Sequence, residues 1–130
     1  MTDEYSLWYA MAEEDYKVAE YLSTHYYPTP YNIICYHCQQ AAEKAIKAIY
    51  IFLQPQQSIP KVHDLSFLLE QMKNMVRIPD SIYDAADSLT PFGIAARYPN
   101  ELALDAGNVK FALKCAKKIL GWSKSSYYKD

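Results

Sequence analysis

Between residues 31 and 54 the chain reads YNIICYHCQQAAEKAIKAIYIFLQ, and the reading of this stretch decides the fold. Ile34, Cys38, Ala42 (with Ala41), Ala45, Ile49 and Phe52 return at three- and four-residue steps, which is the period of an α-helix and not of a strand. The stripe is built largely from Cys and Ala, so a neighbouring helix can approach it closely. The other side carries Tyr36, His37, Gln40, Glu43, Lys44 and Lys47. At 1.5 Å per residue such a helix is roughly 35 Å long, which suits it to be the spine of a bundle.

Helical periods continue on both sides of it. Upstream, over residues 3–23, Trp8, Met11, Ala12, Asp15, Val18, Ala19 and Leu22 form a stripe with one acidic member, Asp15, which calls for a basic partner. Pro28 and Pro30 separate this helix from the next, because each proline biases its predecessor away from the α region. Downstream, Pro55 and Pro60 keep residues 55–63 out of a helix interior. Asp64 is placed to cap a third helix whose core face is Leu65, Leu68, Leu69, Met72 and Val76. Pro79-Asp80-Ser81 opens a fourth with Ile82, Ala85, Ala86 and Leu89 inward, which Pro91 and Gly93 kink or end. Asp105 caps a fifth, burying Ala106, Val109, Ala112, Leu113, Ala116, Ile119 and Leu120, with Lys110, Lys114, Lys117 and Lys118 outside. The tail from Ser123 has no strong apolar stripe and is expected to fray. The expected fold is all-α: one domain over residues 1–130, an up-and-down antiparallel bundle of about five helices.

Composition agrees and narrows the function. A length of 130 residues leaves no room for two sizeable cores, and only 3 Gly disfavour a turn-rich β fold. A net charge of −2 excludes a global basic field, though not a local basic patch. The 13 tyrosines supply amphipathic area suited to a core rim or to an interface. Three cysteines, an odd number, argue against a disulfide framework, and the acidic start resembles no signal peptide. No apolar run is long enough to span a bilayer. The expectation is a cytoplasmic protein that does not engage membrane.

Most catalytic patterns are missing. Gly-rich phosphate loops, hydrolase elbows and paired Glu-x-x-His motifs do not occur. Cys35-Tyr36-His37-Cys38 has the spacing of a redox pair or half a zinc site, but it falls inside the spine helix, where packing is the expected role; no metal or other cofactor is expected. What remains is polar: Gln39, Gln40, Glu43, Lys44 and Lys47 on the second helix, His63 and Asp64 before the third, Arg97 and Tyr98 after the fourth. Arginine and lysine with a histidine suit a phosphate. Lys44, Lys47, His63 and Arg97 are the candidate binding residues, with Gln40, Glu43, Asp64 and Tyr98 in support.

The string Cys38-Gln39-Gln40-Ala41-Ala42-Glu43-Lys44-Ala45-Ile46-Lys47-Ala48 resembles the second-helix signature of HEPN domains, the helical nucleotide-binding domains of higher eukaryotes and prokaryotes. Pro60-Lys61-Val62-His63-Asp64-Leu65 and Ala96-Arg97-Tyr98-Pro99 are similar to further family motifs, in the family's order, as is Ala12-Glu13-Glu14-Asp15 with Ala19. The match runs from about residue 7 to 122. The resemblance implies a bundle, often a homodimer, frequently paired with a minimal nucleotidyltransferase as a toxin–antitoxin-like couple. Many members are metal-independent ribonucleases whose motif is Arg, four to six residues, then His. That motif is absent: no histidine follows His63, and neither Arg77 nor Arg97 has one at the required distance. The expected function is therefore a non-catalytic module that binds a nucleotide or RNA, or a nucleotidyltransferase. The alternatives are a ribonuclease with a non-standard site around His63, and a purely structural interaction protein.

Overall fold

The computed structural model describes residues 3–95 and 103–128, and these are all-helical with no strand. In chain order the helices are α1 (Glu4–His25), α2 (Tyr31–Leu53), α3 (Leu65–Glu70), α4 (Asp80–Leu89), α5 (Phe92–Ala95) and α6 (Ala106–Tyr128). None of them is long and apolar enough to cross a membrane. Side-chain chemistry sets several of their starts. Asp3 caps α1 by accepting from the Ser6 backbone N–H at 2.8 Å. Asp105 and Asn108 cap α6 reciprocally, each side chain accepting from the other's backbone N–H, at 3.0 and 2.9 Å. Asp64 caps α3 through Phe67, the role its position in the sequence suggests.

Helix α2 is the spine: it packs against each of the other five. Cys35, Cys38, Ala41, Ala42, Ala45, Ala48 and Ile49 are all fully buried, so the small-residue stripe is where the neighbours close in. Tyr5 meets Phe52 and Asp15 meets His37, so α1 runs antiparallel to α2. Helix α6 in turn runs antiparallel to α1, with the Tyr9 hydroxyl donating to the Leu120 carbonyl. Leu65 at the start of α3 donates to Thr90 just past the end of α4, and Trp122 of α6 donates to the Arg77 carbonyl just before α4. The all-helical bundle expected from the sequence is the one observed, with α1 antiparallel to α2 and α3 antiparallel to α4. Strict up-and-down alternation is interrupted after α2, where the chain returns along the spine and α3 runs in the same direction as α2.

Several local expectations are corrected. Met11 and Val18 are exposed; the face α1 buries is Tyr5, Ala12 and Ala19. Apolar residues occupy two sides of α1, and periodicity alone does not say which side meets the core. Helix α3 ends at Glu70, short of Val76, although Met72 beyond it is fully buried. Helix α4 ends at Leu89, just before Pro91, but Gly93 lies inside the short α5 that follows, so there are six helical segments in the described residues, one of them a single turn. Ala106 is exposed and Leu113 only half-buried. The tail does not fray at Ser123: α6 continues to Tyr128. The Ser123 hydroxyl is buried, donating to the Ala45 carbonyl at 2.8 Å and lying 3.1 Å from the Tyr5 hydroxyl. One turn later Tyr127 stacks on Tyr5, with ring centroids 3.8 Å apart.

Candidate functional site

The polar side expected on α2 is split by the surrounding helices into an inner and an outer group. The inner group centres on Glu43, whose carboxylate is only 7% exposed. It accepts from Gln39 Nε2 at 3.1 Å, from Lys47 Nζ at 3.0 Å and from His63 Nδ1 at 2.9 Å. Gln39 is wholly buried and receives a hydrogen bond from Gln40 at 2.8 Å, which links the network to the surface. Burial pushes the Glu43 carboxyl up, but the bonds from His63, Lys47 and Gln39 and the Lys47 charge outweigh it, and its pKa lies below the ordinary carboxylate value. Glu43 is therefore an ionised buried group, stabilised by three donors.

His63 reaches this network because the segment after α2 turns back. It leaves the spine at Gln54 and returns alongside it to the level of Glu43, about 16 Å up the helix axis, instead of staying at the end of the bundle. Since a carboxylate oxygen has no hydrogen to give, Nδ1 carries the shared proton and Nε2 becomes the free edge. The His63 side chain is 53% exposed, and among the described residues no hydrogen bond engages Nε2.

The outer group centres on Asp15 of α1, the acid expected to find a basic partner. It has two: His37 Nδ1 at 2.9 Å and Lys44 Nζ at 2.5 Å, both from α2 and all partly buried. Each carboxylate thus holds one histidine through Nδ1 and one lysine through its other oxygen. Lys44 and Lys47 stand less than one turn apart on α2, one in each group.

Of the candidate residues, the structure joins Glu43, Lys47 and His63 directly and Gln40 through Gln39. It ties Lys44 to Asp15 and assigns Asp64 to capping. Arg97 and Tyr98 lie outside the described residues. Sequence reasoning leaves His37 out of the site; its signal is the step of seven residues to Lys44, which places both on one face of α2. It also puts Glu43 and Lys47 on an open side, whereas α3 to α5 cover that side and bury both. Cys35 and Cys38 are free thiols in the core, and burial pushes the pKa of Cys35 up to about 11 and of Cys38 higher still, which suppresses the reactive thiolate at neutral pH.

An antiparallel helical bundle is too common an architecture to define function, but a spine carrying Cys-Gln-Gln-Ala-Ala-Glu-Lys around a buried carboxylate is a narrower class. The chain belongs to the HEPN family: the HEPN domain model matches residues 5–126. The crystal structure of TT1696 from Thermus thermophilus is similar, at 23% identity and a TM-score of 0.79, over 96% of this chain and 99% of that one. ST0689, described as an archaeal HEPN homologue, is similar at 25% identity and a TM-score of 0.71, over 95% and 98%. No match was found among curated proteins.

Proposed function

We propose that the chain is a non-catalytic HEPN module that binds the phosphate of a nucleotide beside α2 and works with a nucleotidyltransferase as a toxin–antitoxin-like pair in the cytoplasm. The observation that carries the binding site is His63: a buried carboxylate fixes its Nδ1 and leaves Nε2 unengaged among the described residues, with Lys47 on the same carboxylate. A ring edge held in place before the ligand arrives binds at a lower entropic cost than a mobile one. The missing Arg-x4–6-His motif speaks for binding over cleavage. Titration calorimetry with ATP and GTP tests it: binding should weaken about tenfold or more in His63→Ala, the loss of one hydrogen bond to a charged phosphate. No heat from either nucleotide would favour a purely structural role.

Two partner proposals belong to this reading. One is a second copy: α1 leaves Leu7, Met11, Val18 and Tyr21 exposed, at helical steps that place them along one face. Light scattering should then give about twice the 15.0 kDa of one chain. The other is a minimal nucleotidyltransferase, which should co-purify with the chain when the two are co-expressed.

A second reading, a ribonuclease with a non-standard site, draws on the same dyad. A carboxylate on Nδ1 orients an imidazole and supports its positive form, as a general base requires. Cleavage of single-stranded or structured RNA that disappears in His63→Ala would establish it over the first.

A further inference from the structure

Helix α6 carries Lys110, Lys114, Lys117, Lys118 and Lys124, and no aspartate or glutamate in its 23 residues. All five lysines are exposed, and among the described residues none has a carboxylate oxygen within 4.0 Å. A merely solvated helix face usually mixes signs, because opposite charges at i,i+4 support the helix and like charges oppose it. Here Lys110–Lys114 and Lys114–Lys118 are like pairs at that spacing. The helix dipole does not account for the ladder either, since Lys110 stands near the N-terminal end, where positive charge is disfavoured. The lysines therefore weaken the helix that bears them and gain nothing inside the described chain.

An aromatic ring lies among them. Phe111 is 54% exposed and lines a shallow groove between α4 and α6, with Lys114 and Lys118 from its own helix and Ser81, Asp84 and Ser88 from α4. Asp84 repels a phosphate from the groove itself but can accept a hydrogen bond from a ring or amino N–H of a base. Lysines along the ridge and an aromatic ring in the groove together form a backbone track with a base seat beside it.

We infer that the outer face of α6 and its groove with α4 bind single-stranded nucleic acid, the phosphates following Lys110, Lys114, Lys117 and Lys124 and a base stacking on Phe111. Successive lysines rise roughly 6, 4.5 and 10.5 Å along the helix, within reach of neighbouring phosphates on a flexible strand. A duplex hides its base faces and leaves Phe111 without a partner, so the ring selects the single strand. The surface is separate from the His63 site and does not rest on it. The competing occupant is the acidic helix α1 on a second copy, since α1 carries five carboxylates against one lysine.

Fluorescence anisotropy of labelled oligouridylate and oligothymidylate, added to the full chain across a salt series, tests the inference. For four lysine–phosphate contacts, log K should fall against log salt with a slope of about −3. Lys114→Gln with Lys117→Gln should reduce that slope by roughly 1.4. Phe111→Ala should weaken binding roughly ten- to a hundredfold at unchanged slope. ATP and GTP calorimetry on the lysine and Phe111 variants should match the wild-type chain, which keeps a failure of the nucleotide site distinct from a failure here. All these side chains are exposed, and unchanged far-UV circular dichroism would show that the variants fold. No anisotropy change at low salt overturns the inference, as does equal binding by the wild-type chain and the lysine and Phe111 variants. Sedimentation showing self-association that the lysine variants abolish, with no oligonucleotide binding, also overturns it and assigns the face to a second copy.

Discussion

At Glu43 the decisive quantity is the balance between desolvation and three donors. Folding holds this carboxyl below its ordinary value of 4.5, so it favours the ionised form more than the unfolded chain does. The stabilisation is complete above the ordinary value and is lost as pH falls through the lowered folded one. Urea midpoints should accordingly drop from about pH 5 downward, and Glu43→Gln should flatten that profile. Glu43→Ala strands the Lys47 charge and is expected to cost about 3–5 kcal/mol in chemical denaturation. A neighbouring position has a steric limit. A Cβ at Gly93 would stand 2.8 Å from Gln39 Cδ, and Gln39 is buried and bonded at both ends of its amide, so it has nowhere to swing. Gly93→Ala should therefore destabilise by about 1–3 kcal/mol despite the better helix propensity of alanine. In the sequence Glu43 is only one of a polar row. Its burial depends on α3 to α5 closing over that side, which no local pattern encodes.

Helix α6 shows what periodicity could and could not say about an element. Its start was legible, because Asp105 is followed three residues later by an amide that completes the cap. Asp105→Ala should cost about 1 kcal/mol of stability, read as a lower thermal midpoint. Its end was not legible: Ser123 and Tyr127 lack the apolar character that marks a buried face, yet Ser123 bonds the spine backbone and Tyr127 stacks on α1. Gly121, in the same stretch, has no neighbour within 4 Å of the place a Cβ would take. Gly121→Ala is thus expected to stabilise the protein by about 0.5–1 kcal/mol, measurable as a raised urea midpoint at unchanged slope. Helix α1 differs again. Its apolar residues occupy two faces, and two of the residues that periodicity assigns to the core, Met11 and Val18, lie on the exposed one, while Trp8 and Leu22 pack against the core.

Across the whole molecule, the all-helical class and the spine were legible because each follows from a period repeated over several turns, whereas the direction of α3, parallel to α2, was not. The sites were legible as residue types but not as a geometry. The return of residues 54–63 along α2, which delivers His63 to Glu43, is set by tertiary packing and leaves no periodic trace. Charge is also arranged on this scale: α1 carries five carboxylates and one lysine, and α6 five lysines and no carboxylate, so that a net −2 conceals two helices of opposite sign. The contact of Tyr127 with Asp3, at 2.5 Å, has a topological consequence. It holds residues 3 and 127 together at one end of the bundle, so a short glycine linker could join the two chain ends without disturbing a helix. A circular permutant opened between residues 55 and 62 should then fold to the same helical content by circular dichroism, with an altered connectivity and the same packing.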